Sequence, residues 1–174
     1  MKTPPYSTFP TVSNENITLR NITSADMPAL IEISFYDALK ATTVEIAEEM
    51  QNKINQDYIA GNSIHWGIAE NSTNEIVGTC GYYRGFENNG GELGCILLSE
   101  SQGKGYMTQA LSLAIDFGLQ EIDLDRIWAV TNRDNHRAVQ LLERLDFKKT
   151  NNNNNNELEE NEVEYELRRV DAKV

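Results

Sequence analysis

Gln102-Gly103-Lys104-Gly105-Tyr106-Met107-Thr108 separates an apolar, strand-like stretch at residues 93–98 from a long segment with apolar residues at helical spacing. A strand that enters a tight glycine turn and leaves as a helix gathers backbone N–H groups at the positive end of the helix dipole. That cradle holds a phosphate or pyrophosphate without needing a basic side chain. The stretch therefore predicts a site for a phosphorylated cofactor. Beyond it, Met107, Ala110, Leu111, Ala114, Ile115 and Gly118 form the stripe that such a helix buries against a sheet, with Gly118 permitting close packing.

Two phosphate-binding readings fail on residues. A P-loop needs Ser or Thr directly after Gly-Lys, but Gly105 follows Lys104. The dinucleotide fingerprint needs a third glycine, where this chain has Thr108. What remains resembles the acetyl-CoA signature of the GNAT acetyltransferases, Gln/Arg-x-x-Gly-x-Gly/Ala, written here Gln102-x-x-Gly105-x-Met107. The second block of that family, Asn-x-x-Ala/Ser followed by Lys/Arg-x-Gly-Phe, is matched by Asn135-x-x-Ala138 and Arg144-x-Asp146-Phe147. Met107 and Asp146 depart from the usual small residue and glycine. The wording of the glycine turn is most similar to the RimJ/RimL-like branch.

The resemblance implies an α+β fold: a central mixed, mostly antiparallel twisted sheet of about six to seven strands flanked by about four helices. It implies acetyl-CoA as cosubstrate and no metal. It also implies cofactor contacts from the main chain of Cys95, Ile96 and Leu97, which line a gap between the fourth and fifth strands, and from Gln102, Gly103, Lys104, Gly105, Tyr106, Met107, Asn135 and Arg137. Asn135 serves equally as an N-cap. The tyrosine that many family members use as general acid falls at Leu142, so that role has no occupant here. Glu92, at the head of the fourth strand, is the remaining candidate base, acting through a water. Tyr36, Asp37, Tyr82 and Tyr83 are candidates for the acceptor site. His65, beside Trp66 on a strand, reads as a structural histidine rather than a base.

The function implied is acetyl transfer to a primary amine. A peptide or protein N-terminal α-amine is slightly preferred, because its pKa near 7.7–8.0 lies below that of lysine near 10.4 and demands less of a weak catalytic set. A small-molecule amine and a non-catalytic CoA-binding regulatory module are the alternatives. Cys80 and Cys95 have no adjacent histidine to activate them as acyl carriers.

The rest of the chain fits one acetyltransferase domain over residues 1–174. Residues 1–14, rich in Pro, Ser and Thr, read as an extended arm, and residues 17–20 alternate as a first strand. Thr23 with Asp26 and Thr42 with Glu45 have capping-box spacing. Met27, Leu30, Ile31 and Phe35 would share one face of a first helix; Ala47, Met50 and Ile54 would share one face of a second. Strands are expected at 64–69 and 75–83 around an Asn71–Asn74 turn, at 126–131, and at Val163, Tyr165 and Leu167. A short helix carries Ala138, Leu141, Leu142 and Leu145. Six consecutive asparagines, residues 151–156, fall in a loop at 151–161.

Composition agrees. The 174 residues are 40% hydrophobic and 24% charged, a mixture suited to a soluble globular chain. No apolar run approaches the roughly 18 residues of a membrane span, and the N-terminus has no apolar signal region, so a cytoplasmic location is the expectation. A net charge of −12 argues against nucleic acid and for attraction of cationic amines. The oligomeric state is open, a homodimer included.

Overall fold

The computed structural model describes residues 2–150 and 158–169; the asparagine run at 151–156 lies outside them. The arm runs along the surface and ends in β1 (Val12–Ser13), which pairs with β2 (Ile17–Arg20). Asn14 and Asn16 both donate from their side-chain amides to Gln109 Oε1 at 3.0 Å, tying the arm to the helix that follows the glycine turn. At the Thr23 box the Thr23 N–H donates to the Asp26 carboxylate at 2.8 Å.

The expected first helix is broken. Only α1 (Met27–Leu30) is α-helical, between 3-10 turns at Ser24–Asp26 and Ile31–Ile33. Ser34 turns extended while its hydroxyl donates to the Leu30 carbonyl, and the chain continues as the hairpin β3 (Phe35–Tyr36) and β4 (Leu39–Lys40). Phe35 therefore leaves the helical face and is 45% exposed. The hairpin closes through Asp37 and Ala38, both at positive φ (49° and 61°), as a tight two-residue turn requires. The next helix, α2 (Val44–Ile59), is capped by Thr43 rather than Thr42: the Thr43 hydroxyl accepts from the Ile46 N–H at 3.3 Å. Ala47 and Met50 point inward as expected.

Then follow β5 (Ile64–Glu70), β6 (Ile76–Tyr82), β7 (Gly90–Leu97), α3 (Tyr106–Phe117), β8 (Arg126–Asn132), α4 (His136–Arg144), β9 (Lys148–Lys149) and β10 (Glu162–Arg168). The sheet order is β1-β2-β5-β6-β7-β8-β10-β9, antiparallel except where β7 meets β8. Six strands of four to eight residues carry it, and two-residue strands extend its edges. This is the mixed, mostly antiparallel sheet, with four α-helices among the described residues, that the resemblance implied. The strand β7 starts earlier than the apolar stretch at 93–98, because Gly90 and Gly91 join the parallel ladder to Arg126 and Ile127.

Side-chain alternation gives each sheet face its own core. Leu19, Trp66, Cys80, Tyr82, Leu97 and Ile127 meet α3 and α4 on one side. Ile22, Met27, Leu30, Ala47, Met50, Ile76 and Leu98 gather around α1 and α2 on the other. Tyr82 is fully buried and donates to the Ala114 carbonyl of α3 at 2.8 Å. No helix among the described residues is long and apolar enough to cross a membrane.

Candidate active site

Between β7 and β8 the sheet opens. Their parallel ladder holds only three pairs, the last being Glu92 with Trp128, whereas β7 stays paired with β6 as far as Leu97. Glu92 and Leu98 bond to β6: Glu92 N–H to Arg84 C=O, Tyr83 N–H to Glu92 C=O, and Leu98 N–H to Val77 C=O. By the alternation of an antiparallel ladder, the main-chain groups of Cys95 and Leu97 then face the opening, and those of Ile96 face β6. Of the three main-chain contacts expected on this strand, Cys95 and Leu97 have the orientation to reach a ligand in the gap.

The glycine turn sits at the end of this opening. Gly103 and Gly105 both have left-handed backbone, φ +77° and +81°, with no steric obstacle of the kind that excludes a side chain by bulk. Gly105 is the N-cap of α3, and the first intrahelical bond runs from the Gln109 N–H to the Gly105 carbonyl at 3.3 Å. The N–H groups of Tyr106, Met107 and Thr108 precede that bond, so they belong to the first helical turn, which has no intrahelical acceptors and is of the kind that can receive an anion. Met107 packs its side chain on the core and leaves this geometry intact. Tyr106 anchors the turn, its hydroxyl donating to Glu70 Oε1 at 2.6 Å, while Ser99 N–H donates to Glu32 Oε1 at 2.8 Å just before it. Gln102 and Lys104 are exposed on the turn.

Across the opening, Asn135 caps α4 by accepting the Ala138 N–H at 3.2 Å, and Arg137 lies one residue into the helix. Asp146 stands at φ +66° directly after α4, which explains the family's glycine at that place: aspartate is one of the few residues that tolerate it. Leu142 is 6% exposed in the core beneath α4, so the position of the usual acid carries packing and no proton.

The opposite sheet face holds a cavity of about 440 Å³ under α1, α2 and the β3–β4 hairpin. Apolar side chains including Ile33, Met50, Ile54 and Ile96 form most of its wall; Tyr36, Asp37 and Asp57 supply a polar rim. Tyr36 donates to Asp57 Oδ2 at 3.1 Å, which raises its phenol pKa. Tyr83 lines the cavity, its ring lying against Gly94 and 5.8 Å from the ring of His65. Tyr82 is a correction: one residue earlier, it points through the sheet into the α3 core and does not meet the cavity.

Glu92 is the third residue of β7 rather than its head, and its carboxylate is held by the Arg84 guanidinium. It does not line the cavity, although its carbonyl accepts the N–H of Tyr83, which does. His65 lines the cavity, and its buried Nδ1 has no hydrogen-bond partner among the described residues. Burial pushes its pKa down to about 4. Moving a proton onto that ring from an ammonium with a pKa of 7.7–10.4 is uphill by roughly 5–9 kcal/mol, at about 1.36 per pH unit. His65 is a neutral hydrogen-bonding group here and not the base.

Burial likewise pushes the Cys95 thiol up to about 12 and raises that of Cys80, its cross-strand partner. Neither is a ready thiolate.

The sequence profile of the acetyltransferase (GNAT) domain matches residues 16–148, spanning the glycine turn and the Asn135 helix. The chain belongs to the GNAT acetyltransferase family. As a GNAT chain it is an acyltransferase, and members of this family use acetyl-CoA. An uncharacterised N-acetyltransferase of Bacillus licheniformis, p20, is 29% identical over 147 residues, covering 80% of this chain and 83% of that one. A spermidine N(1)-acetyltransferase of Escherichia coli K12 is 32% identical over 56 residues, covering 32% of this chain and 30% of its own.

Among solved structures, a proposed ribosomal-protein-serine acetyltransferase from Vibrio cholerae superposes with a TM-score of 0.77 at 18% identity, covering 97% of this GNAT chain and 100% of its own. A dodecameric spermidine N-acetyltransferase from Vibrio cholerae superposes at 0.72 and 18% identity, covering 89% and 95%. At these identities the structural likeness speaks for the fold.

Proposed function

We propose that this GNAT chain transfers the acetyl group of acetyl-CoA directly to a primary amine, in a ternary complex and as one cytoplasmic domain over residues 1–174. The splay of β7 from β8 carries the reading, because it joins the glycine turn at one end to the Tyr83 side of the cavity at the other. The pyrophosphate would rest on the N–H groups of Gly103 to Met107, with Lys104, Arg137 and Asn135 near it, and the pantetheine on the main chain of Cys95 and Leu97. The acceptor would enter past Tyr36 and Tyr83.

A neutral amine must attack the thioester, the oxyanion must be stabilised, and the departing thiolate must be protonated. The residues present make a weak proton-handling set: Leu142 is core, and Glu92 is engaged by Arg84. An α-amine asks for less help than a lysine amine by roughly 3.5 kcal/mol, so a peptide N-terminus suits this site better. The Asp37 and Asp57 carboxylates on the cavity wall favour a second reading, a small cationic amine.

Turnover of acetyl-CoA with a panel of α-amino peptides and small amines tests the function. Absence of turnover alongside tight acetyl-CoA binding would instead identify a regulatory CoA-binding module. In the same assay Glu92→Gln is expected to lower kcat about 10-fold, less than the roughly 100- to 10,000-fold of a fully positioned base because Arg84 already engages the carboxylate, with acetyl-CoA affinity unchanged. Equal turnover from pH 6 to 9 would remove Glu92 from the mechanism.

A further inference from the structure

The first turn of α3 is held from outside by a set of side-chain amides. Gln109, half-buried and four residues beyond Gly105, has both ends of its amide engaged. Its Oε1 accepts from the side-chain amides of Asn14 and Asn16, each at 3.0 Å, and its Nε2 donates to the Gly105 carbonyl at 3.5 Å. The asparagines are themselves fixed. Asn14 Oδ1 accepts the N–H groups of Asn16 and Ile17 at 2.8 and 2.9 Å, and the Asn14 carbonyl accepts the Asn71 side-chain amide at 2.9 Å. The Asn71 N–H donates to the Asn16 carbonyl, and Asn71 Oδ1 accepts the Thr18 hydroxyl at 2.7 Å. Two donors converging on Oε1 decide which way the Gln109 amide faces, because turned over it would set its own NH2 group against theirs. Nε2 is left pointing at Gly105.

The Gly105 carbonyl is where such a contact matters. It shares one planar trans peptide with the Tyr106 N–H, and the two groups point in opposite directions. Whatever holds the carbonyl toward the helix therefore aims the Tyr106 N–H out of the helix, into the cradle. Glycine at φ +81° and ψ 3° gives that peptide little restraint of its own. The intrahelical bond on the same oxygen, from the Gln109 N–H, is the first of α3 and is 3.3 Å long; the Gln109 side chain adds a second donor. Tyr106 is fixed from its other side by Glu70, the last residue of β5, at 2.6 Å. The peptide that opens the helix is thus held at its carbonyl by Asn14 and Asn16 acting through Gln109, and beyond its N–H by the Tyr106 ring.

We propose that Gln109 is a positioning residue for the cofactor, holding the Gly105–Tyr106 peptide so that the Tyr106 N–H faces the pyrophosphate, and that Asn14 and Asn16 at the end of the arm act on acetyl-CoA through it. This rests on the glycine turn being the pyrophosphate site. The arm also packs Tyr6 against Phe117 at the far end of α3, and it is the Asn14–Asn16 contact that reaches the turn. The pantetheine would lie on β7, away from this peptide, so the loss of Gln109 is felt by the pyrophosphate and not by the thioester arm.

The test titrates wild type and Gln109→Met calorimetrically with acetyl-CoA and with S-acetylpantetheine, which carries the same thioester and pantetheine but no pyrophosphate. Methionine keeps the length of the side chain and removes its bonds to Asn14, Asn16 and Gly105. The Kd for acetyl-CoA is expected to rise about 3- to 10-fold, the size of one net hydrogen bond. The Kd for S-acetylpantetheine should be the same in both proteins, whereas a general loosening of the fold would weaken both ligands. Asn16→Ala, which removes one of the two donors on Oε1, should weaken acetyl-CoA by about 2- to 3-fold, the low end of the same range. That loss should vanish in a Gln109→Met background, because both residues act through one amide.

If Gln109→Met binds acetyl-CoA as wild type does while Gly105→Val loses it, the glycine turn keeps its role and the positioning by Gln109 alone is overturned. Equal weakening of S-acetylpantetheine makes Gln109 a support of the fold and overturns the proposal as well. A wild type that binds acetyl-CoA no more tightly than S-acetylpantetheine removes the pyrophosphate site, and the role of Gln109 goes with it. Thermal unfolding checks that the variants fold. Asn16 is exposed, so Asn16→Ala decides the matter should Gln109→Met not fold: acetyl-CoA affinity equal to that of wild type overturns the proposal, and the expected loss confined to acetyl-CoA sustains it.

Discussion

Gly105→Val is expected to weaken acetyl-CoA binding by on the order of 100-fold or more while leaving the fold intact. Gly105 stands at φ +81°, where a β-branched side chain costs about 1–2 kcal/mol or more. Its missing Cβ faces open space, with only Gln109 Nε2 as near as 3.9 Å, so bulk within the protein is not what demands glycine. The chain escapes the strain by rotating the turn to negative φ, and the N–H groups of Gly105 to Met107 then no longer converge. Each charge-assisted bond to phosphate is worth about 1.5–3 kcal/mol, so misaiming two of them gives roughly 100- to 10,000-fold. Calorimetric titration with acetyl-CoA measures the loss, with circular dichroism to confirm folding. Gly105→Asn separates conformation from size: asparagine tolerates the left-handed region and should retain most of the affinity. Valine binding within threefold of wild type would show that the turn does not hold the cofactor.

That turn was legible because its chemistry is local. Two glycines between an apolar strand and an apolar-striped helix leave few conformations, and the structure puts both at positive φ with Gly105 as the N-cap of α3. The departure at Asp146 was equally local, since φ +66° is within reach of aspartate. Features that depend on distant partners were read less well. Gly90 and Gly91 look like loop until Arg126 and Ile127 come alongside as a parallel strand.

The first helix has the apolar spacing of a longer element, yet the chain turns out at Ser34 to build the hairpin that roofs the cavity. Tyr82 and Tyr83 are adjacent candidates for the acceptor site, yet a strand sends neighbours to opposite faces; alternation with Cys80 puts Tyr82 in the core. For His65 the alternation with Trp66 locates the ring but cannot reveal a buried, unpartnered Nδ1, which depends on how the elements around the ring pack.

Gly118→Ala sets two opposing effects against each other, and their sizes decide the sign. Gly118 follows α3 with helical backbone, φ −59° and ψ −45°, so alanine would ordinarily stabilise it by about 1 kcal/mol. Here the added methyl would lie 2.1 Å from the Tyr82 hydroxyl oxygen. Tyr82 has nowhere to go: it is 0% exposed, and its hydroxyl donates to the Ala114 carbonyl. Overpacking costs about 1–3 kcal/mol, and breaking that buried hydrogen bond adds about 1–3 more. The net is a loss of roughly 1–5 kcal/mol, which for a chain of this length lowers Tm by about 2–20 °C.

The double variant Gly118→Ala with Tyr82→Phe removes the oxygen that the methyl strikes. The Ala114 carbonyl still accepts the Gly118 N–H of its own helix, but the methyl would still lie 2.7 Å from the ring carbon Cζ, so only part of the stability should return. Non-additivity of that size between two neighbours is the signature of a shared steric contact. If Gly118→Ala alone raises Tm, α3 does not sit as close to β6 as the Tyr82 contact requires. The same contact holds α3 against β6, so the packing at Gly118 also bears on where the Gly103–Gly105 turn at the head of α3 stands.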